Sequence, residues 1–150
     1  MATRQYTTRR QGIVDAIVDK LKNIDGAGNY HTNLEDNVSP RLKFWDEVDE
    51  FPAVHINAGG ETREYLTGGV KNRFLNITLR CYVNEEDAVN ALDALLEDVE
   101  TVLEDNAAMS YTDKLGVSQG IQQITVLSID TDEGVLAPLG IGEMIIEVRY

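Results

Sequence analysis

From residue 84 to residue 105 the chain carries nine carboxylates and no lysine or arginine. Inside that stretch Val89, Leu92, Leu96, Val99 and Leu103 recur at alternating spacings of three and four, and Asn90, Asp93, Glu97, Glu100 and Glu104 recur the same way on the other side. The pattern predicts a helix with one face on a core and the other strongly anionic. Burying five such side chains contributes about 10 kcal/mol in all. Like-charge neighbours such as Asp93/Glu97 and Glu100/Glu104 cost only about 0.2–0.5 kcal/mol each, so burial wins. Asn84 is placed as N-cap with Asp87 three residues on, and Glu85 and Glu86 meet the positive helix end favourably. Glu104 and Asp105 sit at the wrong end and promote fraying.

Such a helix needs a sheet to lie on, and the residues just before it supply one. Over 73–83, Leu75, Ile77, Leu79, Cys81 and Val83 alternate with Asn76, Thr78, Arg80 and Tyr82, the period of a strand with one buried face. A first helix is predicted over 9–24, with Ile13, Val14, Ile17, Leu21 and Ile24 on one face and Gly26 and Gly28 stopping it. Residues 31–38 fit an irregular strand or edge arm. Residues 42–51 are acidic around Phe44 and Trp45, which serve equally well as interface anchors or as a satellite core. A short strand is expected at 52–57. A hairpin or loose loop is expected between the pairs Gly59-Gly60 and Gly68-Gly69. Residues 106–119 read as a loop, 120–130 as a strand that is central or bent, 132–134 as a turn and 142–150 as a closing strand.

The order helix, strands, helix, strands is met by an α+β fold: a mostly antiparallel sheet of about four strands with both helices packed on one face. One hundred and fifty residues is the size of one domain, 1–150. Phe74, Tyr82, Ile124 and Val126 are expected on the other sheet face, where apolar groups call for a cover such as a second subunit.

The net charge of -13 argues against general nucleic-acid binding, because phosphate contacts need Lys and Arg. It is compatible with DNA sliding past a negative wall. Arg4, Arg9 and Arg10 stand in an opening decapeptide with no acid, read as a solvated terminus or as a docking segment for an acidic neighbour, including another copy of this chain. No apolar run comes after that opening as a secretory signal would require, and none reaches membrane-spanning length. The single cysteine, Cys81, forms no internal disulfide and reads as a small buried side chain.

Catalytic patterns are not found. His31 and His55 have no partners at metal-ligand spacing and read as surface or strand histidines. The run from Asp130 to Gly134 opens like a calcium loop, but position 141 is Ile where the closing glutamate belongs. No phosphate-binding glycine loop and no serine in a nucleophile elbow occurs. Asn76-Ile77-Thr78 is a glycosylation triplet in a strand. No cofactor and no metal are called for, and the chain reads as no enzyme.

The run RRQGIVDAIVDKLKNIDGAGNY, the segments FPAVHINAGGE and RFLNITLRCYVNEEDAVNALDALLEDVETVL, and the closing GEMIIEVRY together resemble the tail terminator proteins of long-tailed bacteriophages, also called minor tail or tail completion proteins. The resemblance covers nearly all of the chain. It implies a homo-oligomeric ring, usually a hexamer, that caps the tail tube, ends its polymerisation and meets the head connector in the virion tail, assembled in the host cytoplasm. DNA would pass through the lumen without specific binding, and no membrane is involved. Candidate interface residues are Arg4, Arg9, Arg10, Phe44, Trp45, Gly59, Gly60, Gly68, Gly69, Phe74, Tyr82, Asp93, Glu97 and Glu100, with the acidic face turned to the lumen or to the outside. The basic first turn against the acidic helix of the next copy is one candidate pairing. The competing readings are a head–tail connector or neck component and an acidic inhibitor that mimics nucleic acid.

Overall fold

The computed structural model describes residues 7–34 and 37–150. The elements run α1 (Arg9–Leu21), β1 (Val38–Ser39), a 3-10 turn (Trp45–Glu47), β2 (Ala53–Tyr65), β3 (Lys71–Asn84), α2 (Ala88–Asp105), β4 (Ser110–Thr112), β5 (Ser118–Gly120), β6 (Gln123–Thr131) and β7 (Leu139–Arg149). The main sheet has five strands in the order β1-β2-β3-β7-β6, and β4 and β5 form a second, two-stranded sheet. All neighbours in the main sheet are antiparallel except β1, which runs parallel to β2 at Val54 and His55. The architecture is α+β as expected, with a mixed sheet of five strands in place of about four.

The odd-numbered side chains of β3 from Leu75 to Val83 are buried, as their alternation predicts. Across the ladder they meet Met144, Ile146 and Val148 of β7, and Val54 and Ile56 of β2. Ile13, Ile17 and Leu21 of α1 and Leu92, Leu96, Val99 and Leu103 of α2 close over this stripe in one core. The core contains Cys81, whose thiol burial pushes up to about 12.

α2 begins later than the sequence predicts. β3 runs through Asn84, which pairs with Leu139, and the Glu85 amide donates to the Pro138 carbonyl, so Asn84 belongs to the sheet. Asp87 takes the cap and accepts from the Asn90 amide at 3.5 Å. The buried stripe also shifts: Leu95, Asp98 and Val102 join it, and Val89 is exposed beside the β6–β7 turn. α1 ends at Leu21 instead of 24 because the amides of Asn23 and Ile24 bond three residues back and tighten the last turn. Ile24 stays in the core.

The 58–70 and 120–130 readings each resolve to one of their two alternatives, hairpin and bent strand, and the 106–119 loop is corrected. The 58–70 segment is not a loose loop: β2 continues to Tyr65, Gly59-Gly60 form a β-bulge between Ala58 and Glu61, and only 66–70 turn. Gly68 and Gly69 both have positive φ there, which a side chain would resist. Residues 106–119 contain the β4–β5 hairpin. β6 is an edge strand, bent by a bulge between Val126 and Ser128, and not a central one.

The outer sheet face also differs from expectation. Ile124 and Val126 pair with Val148 and Ile146 and pack against the core, so they lie on the inner face. Tyr82 is on the outer face but only 1% exposed. The chain covers it with its own 42–50 segment: the Tyr82 hydroxyl donates to the Lys43 carbonyl at 3.5 Å, and Asn37 Nδ2 donates to the carbonyls of Glu50 (2.8 Å) and Pro52 (2.9 Å). The His55 ring packs tilted against the Tyr82 ring, 5.1 Å between centroids. Burial and the nearby Lys43 charge hold its pKa below the usual histidine range.

β4 lies against α1 across Gly12, where a Cβ would run into the Thr112 carbonyl. Helix propensity alone makes Gly12→Ala stabilising by about 1 kcal/mol. The close approach reverses the sign: Gly12→Ala is expected to cost about 1–3 kcal/mol, as overpacking does. Urea unfolding of the variant against the wild type measures it.

Candidate assembly interface

Large apolar side chains stand exposed at three hairpin tips. The β2–β3 turn, closed by the Leu66 amide on the Val70 carbonyl at 2.7 Å, presents Tyr65, Leu66 and Val70. The β4–β5 turn presents Leu115, 77% exposed, and Val117. Asp113 builds that turn by accepting from the Leu115 amide (2.9 Å), the Val117 amide (3.0 Å) and Gln119 Nε2 (3.1 Å). Those bonds, the Val117 amide first, hold its carboxyl below the usual range. The β6–β7 turn presents Val135, 82% exposed, and Leu136.

The tips lie at two ends of the molecule. Arg63 and Arg73 of the β2–β3 arm share a cleft with Leu115, which puts those two hairpins at one end. Thr131 pairs with Gly142, and Asn84 with Leu139, so the β6–β7 turn is at the other end. Two sheet edges also lack a partner strand among the described residues: β6 along its length, and β2 beyond His55.

The cleft between α1, the β2–β3 arm and the β4–β5 hairpin has a volume of about 300 Å³ and gathers Arg9, Arg10, Arg63, Arg73 and Lys114 around Glu61 and Asp113. Glu61 is its internal tie. It accepts from the Tyr150 hydroxyl and from Arg63 Nε at 2.9 Å, and Arg10 lies 4.0 Å away while donating to the Gly59 carbonyl. Burial pushes the Glu61 carboxyl up, but the Tyr150 and Arg63 hydrogen bonds and the Arg63 and Arg10 charges outweigh it and leave it below its ordinary 4.5. The Arg73 guanidinium stacks 5.6 Å over the Tyr150 ring, and its buried Nε has no hydrogen-bond partner among the described residues.

On α2, Asp93 and Glu97 are exposed and Glu100 is half-buried. Glu97 pairs with His31 Nε2 at 3.0 Å. Asp98, missed in the sequence, is 1% exposed and receives the amides of His31 (2.9 Å) and Thr32 (2.7 Å) and the Thr32 hydroxyl (2.6 Å), pinning the 30–33 loop to the helix. A signal for it exists: Asp98 sits between Leu95 and Val102 at three and four residues, on the buried stripe.

The structure therefore scatters the sequence candidates. Arg9 and Arg10 join the cleft. Phe44 is 75% exposed. Gly59-Gly60 bend the arm and Gly68-Gly69 tip it. Phe74 is half-buried with Arg149 over its ring at 5.9 Å, and Tyr82 has no surface left for a neighbour. Trp45 opens the 3-10 turn, with its side chain, like all of Arg4, outside the described residues. The family resemblance points to the 58–70 and 106–119 loops as candidate contacts, and Arg63, Lys114 and the first two tips lie in them, but sequence reasoning names none of these residues singly and misses Arg73, Val135 and Leu136. Apolar residues flanking turn formers, as in Leu115-Gly116-Val117, are the one residue-level signal that points to the tips.

Among the described residues no group of three metal-ligating side chains comes together. The family described as Bacteriophage Tail Tube Terminator Protein matches residues 7–150. The chain belongs to this tail tube terminator family. A relative, the tail tube terminator protein p142 of Escherichia phage T5, is 36% identical over 149 residues, covering 94% of this chain and 92% of its own length. A chain from the virion of a native gene transfer agent particle has a similar fold, with a TM-score of 0.51 at 7% identity over 92% of this chain and 93% of that one.

Glu61 makes the cleft pH-sensitive. Because its folded-state pKa is depressed, its stabilisation is fully present above about pH 4.5 and is lost as pH falls through the folded value. Glu61→Gln is expected to cost about 1–3 kcal/mol at neutral pH. The gap to the wild type closes in acid, as denaturant unfolding across pH will record.

Proposed function

We propose that this chain is a non-enzymatic structural subunit that caps a phage tail tube, ends its polymerisation and joins it to the head connector. The family match over residues 7–150 supports the tail-terminating role. The observation that carries the two-sided reading is the exposure of apolar tips at opposite ends of the molecule: Leu115 and Val117 with the β2–β3 arm at one, Val135 and Leu136 at the other. Solvent-exposed groups of this size at hairpin tips are anchors for partners, and a terminator needs one face for the tube and another for the component on its head side.

In this reading the subunits close into a ring, a hexamer as the resemblance implies, in the virion tail. Phe44, the Gly68-Gly69 turn and the basic first turn take part in contacts between copies or with the tube. The net charge of -13 keeps passing DNA from adhering. Family membership favours this reading over a neck component and over a nucleic-acid mimic.

Purified protein added to elongating tail tubes, viewed by negative-stain electron microscopy, is the test. The wild type is expected at one tube end, with elongation halted. The double variants Leu115→Asp/Val117→Asp and Val135→Asp/Leu136→Asp are expected to fold, since these side chains are exposed, and one of them to lose end binding. A wild type that leaves tube length unchanged, or coats tubes along their sides, refutes the proposal.

A further inference from the structure

We propose that the cationic cleft at the base of the β2–β3 arm is a socket for the anionic face of α2 from a second copy of the chain. The inference rests on the reading of the protein as one subunit of a homotypic ring, and it names the two surfaces that meet.

The charge distribution is the first argument. The chain has 13 Lys and Arg against 26 Asp and Glu, yet Arg9, Arg10, Arg63, Arg73 and Lys114 converge on one concavity of about 300 Å³. The two acids there are already engaged. Glu61 is held by Tyr150 and Arg63, and Asp113 by its own turn. Among the described residues neither Arg9 nor Lys114 makes an ion pair and the buried Arg73 Nε has no acceptor. The cleft thus has more cations than anions, and its guanidinium donors match carboxylate oxygens in geometry.

The second argument is the complementary surplus. Asp93, Glu100 and Glu104 stand on one face of α2 and make no ion pair among the described residues. No hydrogen bond or ion pair among the described residues joins α2 carboxylates to cleft cations within the chain. Both surpluses are therefore left for another molecule. The partner differs from a nucleic acid in one decisive respect: a concave site interrupted by Glu61 and Asp113 and walled by Leu115 suits single carboxylates on a helix, not a continuous phosphate backbone. Because the two patches are different, the contact is head-to-tail, and each copy joined leaves one socket and one helix free until a ring closes.

Charge reversal tests this on the full chain. Arg9→Glu/Lys114→Glu reverses the cleft rim and Asp93→Lys/Glu100→Lys reverses the helix, both leaving Glu61 and its partners intact. Sedimentation across the micromolar range in low salt should show each variant self-associating roughly tenfold more weakly than the wild type. Mixing the two variants should restore association, and raising salt should weaken it in the wild type. Association unchanged by either reversal, a loss that mixing does not restore, or a wild type monomeric throughout would overturn the proposal. So would a cleft variant that loses binding to a labelled oligonucleotide while self-associating normally. Tube capping assayed in parallel separates the two readings. A wild type that caps tubes while the reversals change nothing removes the socket alone; swap-dependent association without capping removes the terminating role alone.

Discussion

The contact between the apolar stripe of α2 and the inner face of β3 and β7 sets the rest of this protein. It fixes which side of the sheet is dry, because a one-residue slip in β3 would send Leu75, Ile77 and Leu79 to the outside. It draws α1 into the same core through Ile13, Ile17 and Leu21. It also decides the electrostatics: once Leu92, Leu96 and Val99 face the sheet, Asp93 and Glu97 must face water. The anionic surface is a by-product of burial, placed by the helical period.

The same constraint has a polar component. Asp98 lies on the buried stripe and is tolerated only because the 30–33 loop folds over it with two amides and a hydroxyl. A buried carboxylate without donors would be costly; with them it ties a segment with no regular structure to the helix. The 42–50 segment does a parallel job on the outer face, where it covers His55 and Tyr82. Together these two irregular stretches seal what the regular elements leave open.

Periodicity makes the main elements legible. The alternation of β3 and β7 and the three–four spacing of both helices fall on buried side chains, Val89 excepted. What it misses depends on groups far apart in the chain. Asn84 looks like a cap but is claimed by Leu139, 55 residues on. Ile124 and Val126 look outward until the pairing of β6 with β7 turns them in. Tyr82 looks like an interface aromatic until the 42–50 segment covers it. The cleft is legible only through Arg9 and Arg10, since Arg63, Arg73, Lys114 and Tyr150 reach it from separate hairpins and the last strand's end. The family resemblance read from the whole chain agrees with the terminator family matched over residues 7–150.

The β2–β3 arm has a mechanical consequence. Past Glu61 it is a two-stranded ribbon, with Arg73 and Tyr150 making its last backbone exchange with the sheet and Gly59-Gly60 bending its root. Isolated ribbons of this kind are more strongly twisted and less stable than a sheet backed by helices. The molecule is thus a stiff body bearing a compliant finger clamped at the knuckle by Glu61. Such a finger can conform to a neighbour's contour while the packed body keeps its shape, so misfit at a junction is absorbed outside the core.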